Sequence, residues 1–154
     1  MTTRLKSPFR RGLLALSCCL LAFATMAAHA KELKFQAQLV WATNTNTEKS
    51  VDHKLVDAPV RQKLEELPLK WKNYFLIHNV HFSVPQSGSK EAVLSKKCTI
   101  RIKDIDGKNF EISLIGKDKP VLKRTQSLPK GEMLVLGGNA PNSTAWLVVL
   151  KRIE

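Results

Sequence analysis

Apolar and polar residues alternate along most of the chain from Leu33 onward, in short runs separated by glycine, proline, asparagine and aspartate. A period of two is typical of β-strands, whose successive side chains point to opposite faces. Turn residues at regular intervals indicate many short strands. The pattern predicts seven strands, at about residues 32–42, 71–84, 98–103, 110–114, 120–127, 132–136 and 144–152.

One segment, residues 57–67, has helical periodicity instead. Asp57 suits an N-cap and Pro59 is tolerated in the first turn. Three apolar residues would share one face of this helix: Val60, Leu64 and Leu67. The polar stretch 43–54 before it has no apolar phase, which predicts a surface loop. Because no helix separates the other strands, we expect an all-β fold, an immunoglobulin-like antiparallel β-sandwich of about seven strands with one short helix.

The longest predicted strand, 71–84, has one face that is apolar apart from a single histidine. That face would carry Tyr74, Leu76, His78, Val80, Phe82 and Val84. Phe75 and Ile77 make both faces apolar near its start, which predicts that the first half is covered on both sides.

A hairpin is predicted around Asp106-Gly107, between the strands at 98–103 and 110–114. A two-residue loop would mix the apolar and polar faces, so the register requires an odd loop or a bulge, which brings Lys103 opposite Glu111. Gly137-Gly138 lacks the Lys-Ser/Thr ending of a phosphate loop and is expected to form a turn.

The first 30 residues have the three parts of a signal peptide: four basic residues, an apolar run over 13–28, and the small-residue site Ala28-His29-Ala30. We expect cleavage after Ala30, which leaves a single domain over 31–154. The run is short for a membrane span, and Arg10-Arg11 suits both a general secretory and a twin-arginine signal. The protein is therefore expected in the periplasm, at the cell surface or outside the cell.

Net charge and cysteine content limit the partners and the disulfides expected for the mature chain. Removing the leader takes away four of the 25 Lys and Arg residues and none of the 13 acids, which leaves a net charge of +8. Such a charge favours anionic partners or serves only as a solvated surface. Cys98 is the single remaining cysteine; it is in phase with Ile100 and Ile102, so a buried thiol is expected rather than an intermolecular link.

Patterns that would carry catalysis are missing from the sequence. It has no Gly-x-Ser-x-Gly elbow, no CxxC pair and no indicated pair of catalytic carboxylates, so we expect neither an enzyme nor a cofactor. His78 and His81 are three apart on a strand and would point to opposite faces, which disfavours a metal site. Asp104 and Asp106 are expected to be turn residues.

The one candidate site is a basic strand face. Lys97, Arg101 and Lys103 would share the solvent side of one strand and could bind a polyanion. A nucleic-acid platform would also need exposed aromatic residues, whereas the pattern places Phe82 and Phe110 inward. Nucleic acid is therefore not an expected partner; an anionic polymer or a membrane surface is the alternative, and no small-molecule substrate is indicated.

Five segments of the mature chain resemble a group of small secreted proteins from verrucomicrobial bacteria. They are Leu39-Val40-Trp41-Ala42-Thr43, Trp71-Lys72-Asn73-Tyr74-Phe75, Leu94-Ser95-Lys96-Lys97-Cys98, Leu128-Pro129-Lys130-Gly131-Glu132 and Asn142-Ser143-Thr144-Ala145-Trp146-Leu147-Val148-Val149-Leu150. Some small immunoglobulin-like exported proteins of such bacteria are encoded with type IV pilus machinery. The resemblance implies a non-catalytic accessory role, with an envelope or pilus-type protein as partner. The alternative is a cationic module for anionic envelope polymers or lipid headgroups.

Overall fold

A computed structural model describes residues 31–45, 53–117, 119–140 and 143–154. The predicted signal peptide lies outside these residues. Within them the chain forms one helix and nine strands: β1 (Glu32–Thr43), β2 (Lys54–Leu55), α1 (Ala58–Glu65), β3 (Asn73–Pro85), β4 (Ser89–Ser95), β5 (Cys98–Asp104), β6 (Asn109–Gly116), β7 (Lys119–Ser127), β8 (Met133–Ala140) and β9 (Thr144–Arg152). In this part of the chain, no helix has the length and hydropathy that crossing a bilayer requires.

The strands form two antiparallel sheets. The first has the order β2-β3-β1-β9-β8, and the second is the meander β4-β5-β6-β7. The chain passes to the second sheet after β3 and returns to the first after β7. The prediction of an all-β antiparallel sandwich with one short helix is confirmed, with nine strands rather than about seven.

The main core lies between the two sheets. Alternate residues of β1, from Leu33 to Leu39, point into it, as the period of two predicts. They meet the inward residues of β5 and β6, and the rings of Phe35 and Phe110 pack edge to face with centroids 5.3 Å apart. Burying each such side chain contributes about 1.5–3 kcal/mol, which is how the sandwich is stabilised without a disulfide in the described residues.

The helix covers the other face of the first sheet. The side chain of Asp57 accepts a hydrogen bond from the N–H of Val60 at 3.1 Å, so the predicted N-cap is confirmed. Val60 and Leu64 are buried against Val40 and Ala42 of β1 in a second apolar cluster. The molecule therefore has three layers: helix, first sheet and second sheet.

The face predicted for Tyr74 and Leu76 in the long strand is wrong, although consecutive residues at its start, Tyr74 and Phe75, are both buried as expected. A bulge between the pairs Leu39–His78 and Val40–Leu76 inserts Ile77 as an extra residue in β3. Because one extra residue reverses the phase, Tyr74 and Leu76 pack on the helix side, whereas Val80, Phe82 and Val84 face the second sheet.

Three segments that lacked a strand prediction are in strands. β2 begins at the last residue of the predicted 43–54 loop, and β4 covers residues for which no strand was predicted. β8 continues through Gly137-Gly138, so the predicted turn at this pair is wrong, and the strand ends at Ala140 instead. Lys103 does face Glu111, because an odd number of residues, 105–109, separates the last pair, Asp104 and Phe110, as predicted. Gly107 adopts a positive φ of 79° in this turn.

Arg152 forms hydrogen bonds across one end of the sandwich. Its Nη1 donates to the carbonyl oxygens of Gly107 at 3.0 Å and Leu128 at 3.2 Å, and its guanidinium lies 5.3 Å from the ring centroid of Phe110. Asp104 supports the same end, where its carboxylate accepts from the N–H groups of Ser87 and Gly107. These contacts tie β9 to the β5–β6 loop and the β7–β8 crossing.

Candidate functional site

At the end opposite Arg152 the two sheets enclose an apolar pocket of about 710 Å³. Leu39, Ile77, Trp146 and Val148 line it from the first sheet. The second sheet contributes Cys98, Leu114, Val121 and Leu122, together with the turn residues around them. A volume of this size lies in the range of about 300–1,000 Å³ that small-molecule sites occupy.

Backbone irregularities are concentrated at this end. Besides the bulge at Ile77, β7 has an extra residue at Val121 and β4 has one at Leu94. A bulge redirects a side chain that regular pairing would hold in phase. Ile77 and Val121 both line the pocket, and Val121 is 69% exposed, so two of the three bulges present apolar side chains there.

The glycine pair of β8 shapes the wall beside Trp146. An ideal Cβ at Gly137 would overlap the carbonyl oxygen of Trp146 and lie 2.9 Å from Cδ2 of Leu147. An ideal Cβ at Gly138 would meet nothing within 4 Å, and this residue is in phase with the inward-facing Leu136. Gly137 therefore permits close pairing with β9, and Gly138 leaves space open in the pocket.

Two lysines stand at the pocket. Lys96 and Lys97 are exposed in the turn between β4 and β5 and belong to its lining, which contains no Asp or Glu among the described residues. Lys117 and Lys119 flank the neighbouring β6–β7 turn; Asp118 between them is outside the described residues. The structure thus separates Lys97 from the strand face to which the sequence pattern assigned it.

Arg101 and Lys103 do lie on the solvent face of the second sheet, but among carboxylates. Arg101 is paired with Glu91, its Nε donating to the carboxylate at 2.6 Å. Lys103 is opposite Glu111 in register, and Glu111 also pairs with Lys123 at 3.0 Å. Neighbouring carboxylates offset much of the positive charge that a polyanion would bind on this face.

The other candidate residues are placed as follows. Cys98 is half-buried against the main core at the pocket, and its burial raises the pKa of the thiol above its ordinary value. His78 lies opposite Leu39 and His81 opposite Gln36, so the two point to opposite faces. No group of three or more metal-ligating side chains occurs among the described residues.

The pocket opens beside two edge strands that differ in protection. Within the described structure, β7 pairs only with β6 and β8 only with β9. β7 carries Lys119, Pro120, Lys123 and Arg124 besides its bulge, all features that discourage strand addition. β8 has eight residues and no charge, proline or bulge. Among the edge strands of the described residues, β8 is the long one without such protection, since β2 has two residues and β4 carries Lys90, Glu91 and a bulge.

Comparison with known proteins found no matching family model, no matching curated protein and no matching solved structure.

The pocket and the β8 edge are the features that sequence reasoning missed. The pocket-lining residues alternate like any core residues, and Gly137-Gly138 is typical of a turn. One signal was available in the sequence: the segment 133–140 contains neither charge nor proline, which is unusual for an exposed strand edge.

Proposed function

We propose that the mature chain is an exported, non-catalytic protein–protein interaction module of the cell envelope, and that it binds a partner by strand addition at β8. The observation that carries this proposal is the unprotected β8 edge beside the apolar pocket. The resemblance to small secreted verrucomicrobial proteins is the basis for seeking the partner among envelope proteins, including type IV pilus machinery.

The backbone of β8 supplies hydrogen-bonding groups for such a partner. The N–H of Arg152 donates to the carbonyl oxygen of Glu132, and antiparallel bonding alternates along the pair. Residues 134, 136 and 138 therefore bond to β9, whereas the N–H and C=O groups of 133, 135, 137 and 139 point away from it. An added strand would pair with these outward groups, which is the recognition mode of β-augmentation.

Exposed apolar side chains add contact area beside this edge. Trp146, on the strand next to β8, is 45% exposed, and Val121 lies across the opening on β7. Aromatic residues of this kind are enriched at binding hot spots. A partner strand on β8 could thus combine main-chain pairing with apolar side-chain contact.

The test is a pull-down from native envelope extract with the tagged mature domain, washed at low and high salt. Three forms are compared: wild type, Val135→Pro and Val135→Ala. Both variants lose side-chain packing, but only proline removes the outward N–H and blocks an added strand. Thermal melts establish that the two variants are folded.

We expect specific proteins to be retained at high salt by wild type and Val135→Ala and lost by Val135→Pro. Equal retention by the two variants would contradict strand addition at β8. Loss of all binding at high salt would contradict the interaction module and favour the cationic alternative.

A further inference from the structure

We propose that the apolar pocket binds a long-chain carboxylate, with its hydrocarbon chain between the two sheets and its carboxylate at Lys96 and Lys97. This site uses the interior of the sandwich rather than the backbone of β8. It gives the protein a ligand-binding function in addition to partner recognition.

The lining favours a hydrocarbon chain over a peptide. Its described side chains are mostly aliphatic or aromatic, and the polar ones are Ser95, Cys98, the Trp146 indole and the two lysines. A buried peptide segment brings N–H and C=O groups that must find hydrogen-bond partners. A hydrocarbon chain brings none, so it can enter an apolar space of about 710 Å³ without leaving polar groups unpaired.

The positive charges at the pocket favour a ligand with an anionic head group. Lys96 and Lys97 are both exposed where the pocket meets solvent, and the described lining has no carboxylate to neutralise them. The equivalent turn at the other end of β5 differs, since it carries Asp104 and Asp106. Lys96 and Lys97 belong to the pocket lining, whereas Asp104 and Asp106 lie at the opposite end of β5, and this charge distribution is the complementarity that a carboxylate requires.

The described lining contains lysine and no arginine. Lysine is a point charge that pairs with a carboxylate or a phosphate, whereas arginine adds a planar fork that holds either anion bidentately. We choose the carboxylate because its single charge costs less to remove from water than the double charge of a phosphate monoester. A phosphate-headed chain serves as the comparison ligand.

Room for the chain depends on Gly138. A Cβ at this position would contact nothing within 4 Å, so a side chain at residue 138 starts in open space at the pocket lining. We therefore expect the ring of Gly138→Phe to occupy space that the hydrocarbon chain needs. Thr125→Phe is the matched control, since Thr125 is exposed on β7 away from the pocket lining and receives the same ring.

The experiment is isothermal titration of the tagged mature domain with dodecanoate below its micellar concentration, alongside dodecanol and dodecyl phosphate. The indole N–H signal of Trp146 is followed by NMR to locate binding. Wild type and Thr125→Phe should bind dodecanoate saturably with a shift of this signal, and Gly138→Phe should show neither.

A second pair of variants tests the head group. Lys96→Gln/Lys97→Gln should weaken dodecanoate binding about 2- to 10-fold, with little effect on dodecanol. Lys90→Gln/Lys103→Gln, which changes the net charge equally outside the lining, should leave dodecanoate binding unchanged.

Absence of dodecanoate binding to wild type would overturn the proposal, as would equal binding by Gly138→Phe and Thr125→Phe. Equal binding of dodecanol and dodecanoate would overturn the assignment of the carboxylate to the lysines, and tighter binding of dodecyl phosphate would overturn the choice of a carboxylate. Val135→Pro should still bind dodecanoate, so this proposal and strand addition fail separately.

Discussion

Adjacent glycines in β8 should respond oppositely to the same substitution. At Gly137 an added Cβ overlaps the backbone oxygen of Trp146 and lies 3.0 Å from Cα of Leu147. Backbone atoms cannot rotate away as a side chain does, so Gly137→Ala must open the pairing of β8 with β9. We expect a loss of about 2–3 kcal/mol, typical of overpacking in a dense interior.

Gly138→Ala is the matched change one residue later. Its Cβ meets open space, and its φ lies outside the left-handed region. The substitution reduces the conformational freedom of the unfolded chain, which should stabilise the fold by about 0.4–1 kcal/mol. The two variants should therefore differ by about 3 kcal/mol, or roughly 12 °C in melting temperature for a domain of this size.

Calorimetry and urea unfolding of both variants measure this difference. The urea m-values should match wild type if only the native state is affected. Equal stabilities of the two variants, or a tolerated Gly137→Ala, would refute the close approach of β8 to β9 beside the pocket.

Three further predictions concern other parts of the fold. Arg152→Met should destabilise the domain by about 3 kcal/mol in urea unfolding, because two charge-assisted hydrogen bonds to carbonyl oxygens are lost; an effect below about 1 kcal/mol would show that this end is held by other contacts. Gln38→Met should stabilise it by about 1 kcal/mol, because Oε1 of the buried Gln38 finds no hydrogen-bond partner among the described residues; a destabilised variant would indicate a partner for that oxygen. Burial raises the pKa of the Cys98 thiol, so alkylation by a neutral reagent should accelerate only as pH rises past the ordinary thiol pKa, and a plateau near neutral pH would contradict the burial.

Periodicity correctly predicted the elements whose apolar side chains all lie on a single buried face. β1 and the β5–β6 hairpin alternate without interruption on the inner face, and α1 has both a cap and a buried stripe. For these elements, the order of apolar and polar residues was enough to predict both the secondary structure and the buried face.

The incorrect predictions have physical causes that cannot be read from the local order of apolar and polar residues. The bulge at Ile77 reverses the phase of β3, yet the residues leading into it, Tyr74-Phe75-Leu76-Ile77, are continuously apolar and so do not mark it. Gly137-Gly138 was assigned to a turn, but it lies inside β8, where the close approach of β9 requires glycine at residue 137. β4 has only Ala92 and Leu94 fully buried among its seven residues, too few to establish a period.

The candidate site could be predicted only in fragments. The pattern identified Lys97 as one of three basic residues, but its position at a pocket depends on strands distant in sequence. The pocket itself forms where residues from both sheets fail to meet, and such a gap has no local signature. Of the carboxylates near Arg101 and Lys103, Glu111 was predicted from the hairpin register, whereas Glu91 lies on β4, for which no strand was predicted.

Amide hydrogen exchange along β8 in the free mature domain shows whether this edge is available to a partner. We expect alternation: the amides of Leu134 and Leu136, bonded to β9, exchange slowly, whereas that of Val135, directed outward, exchanges fast. Slow exchange at all three positions would contradict it, because the β8 edge would then already be paired in the free protein.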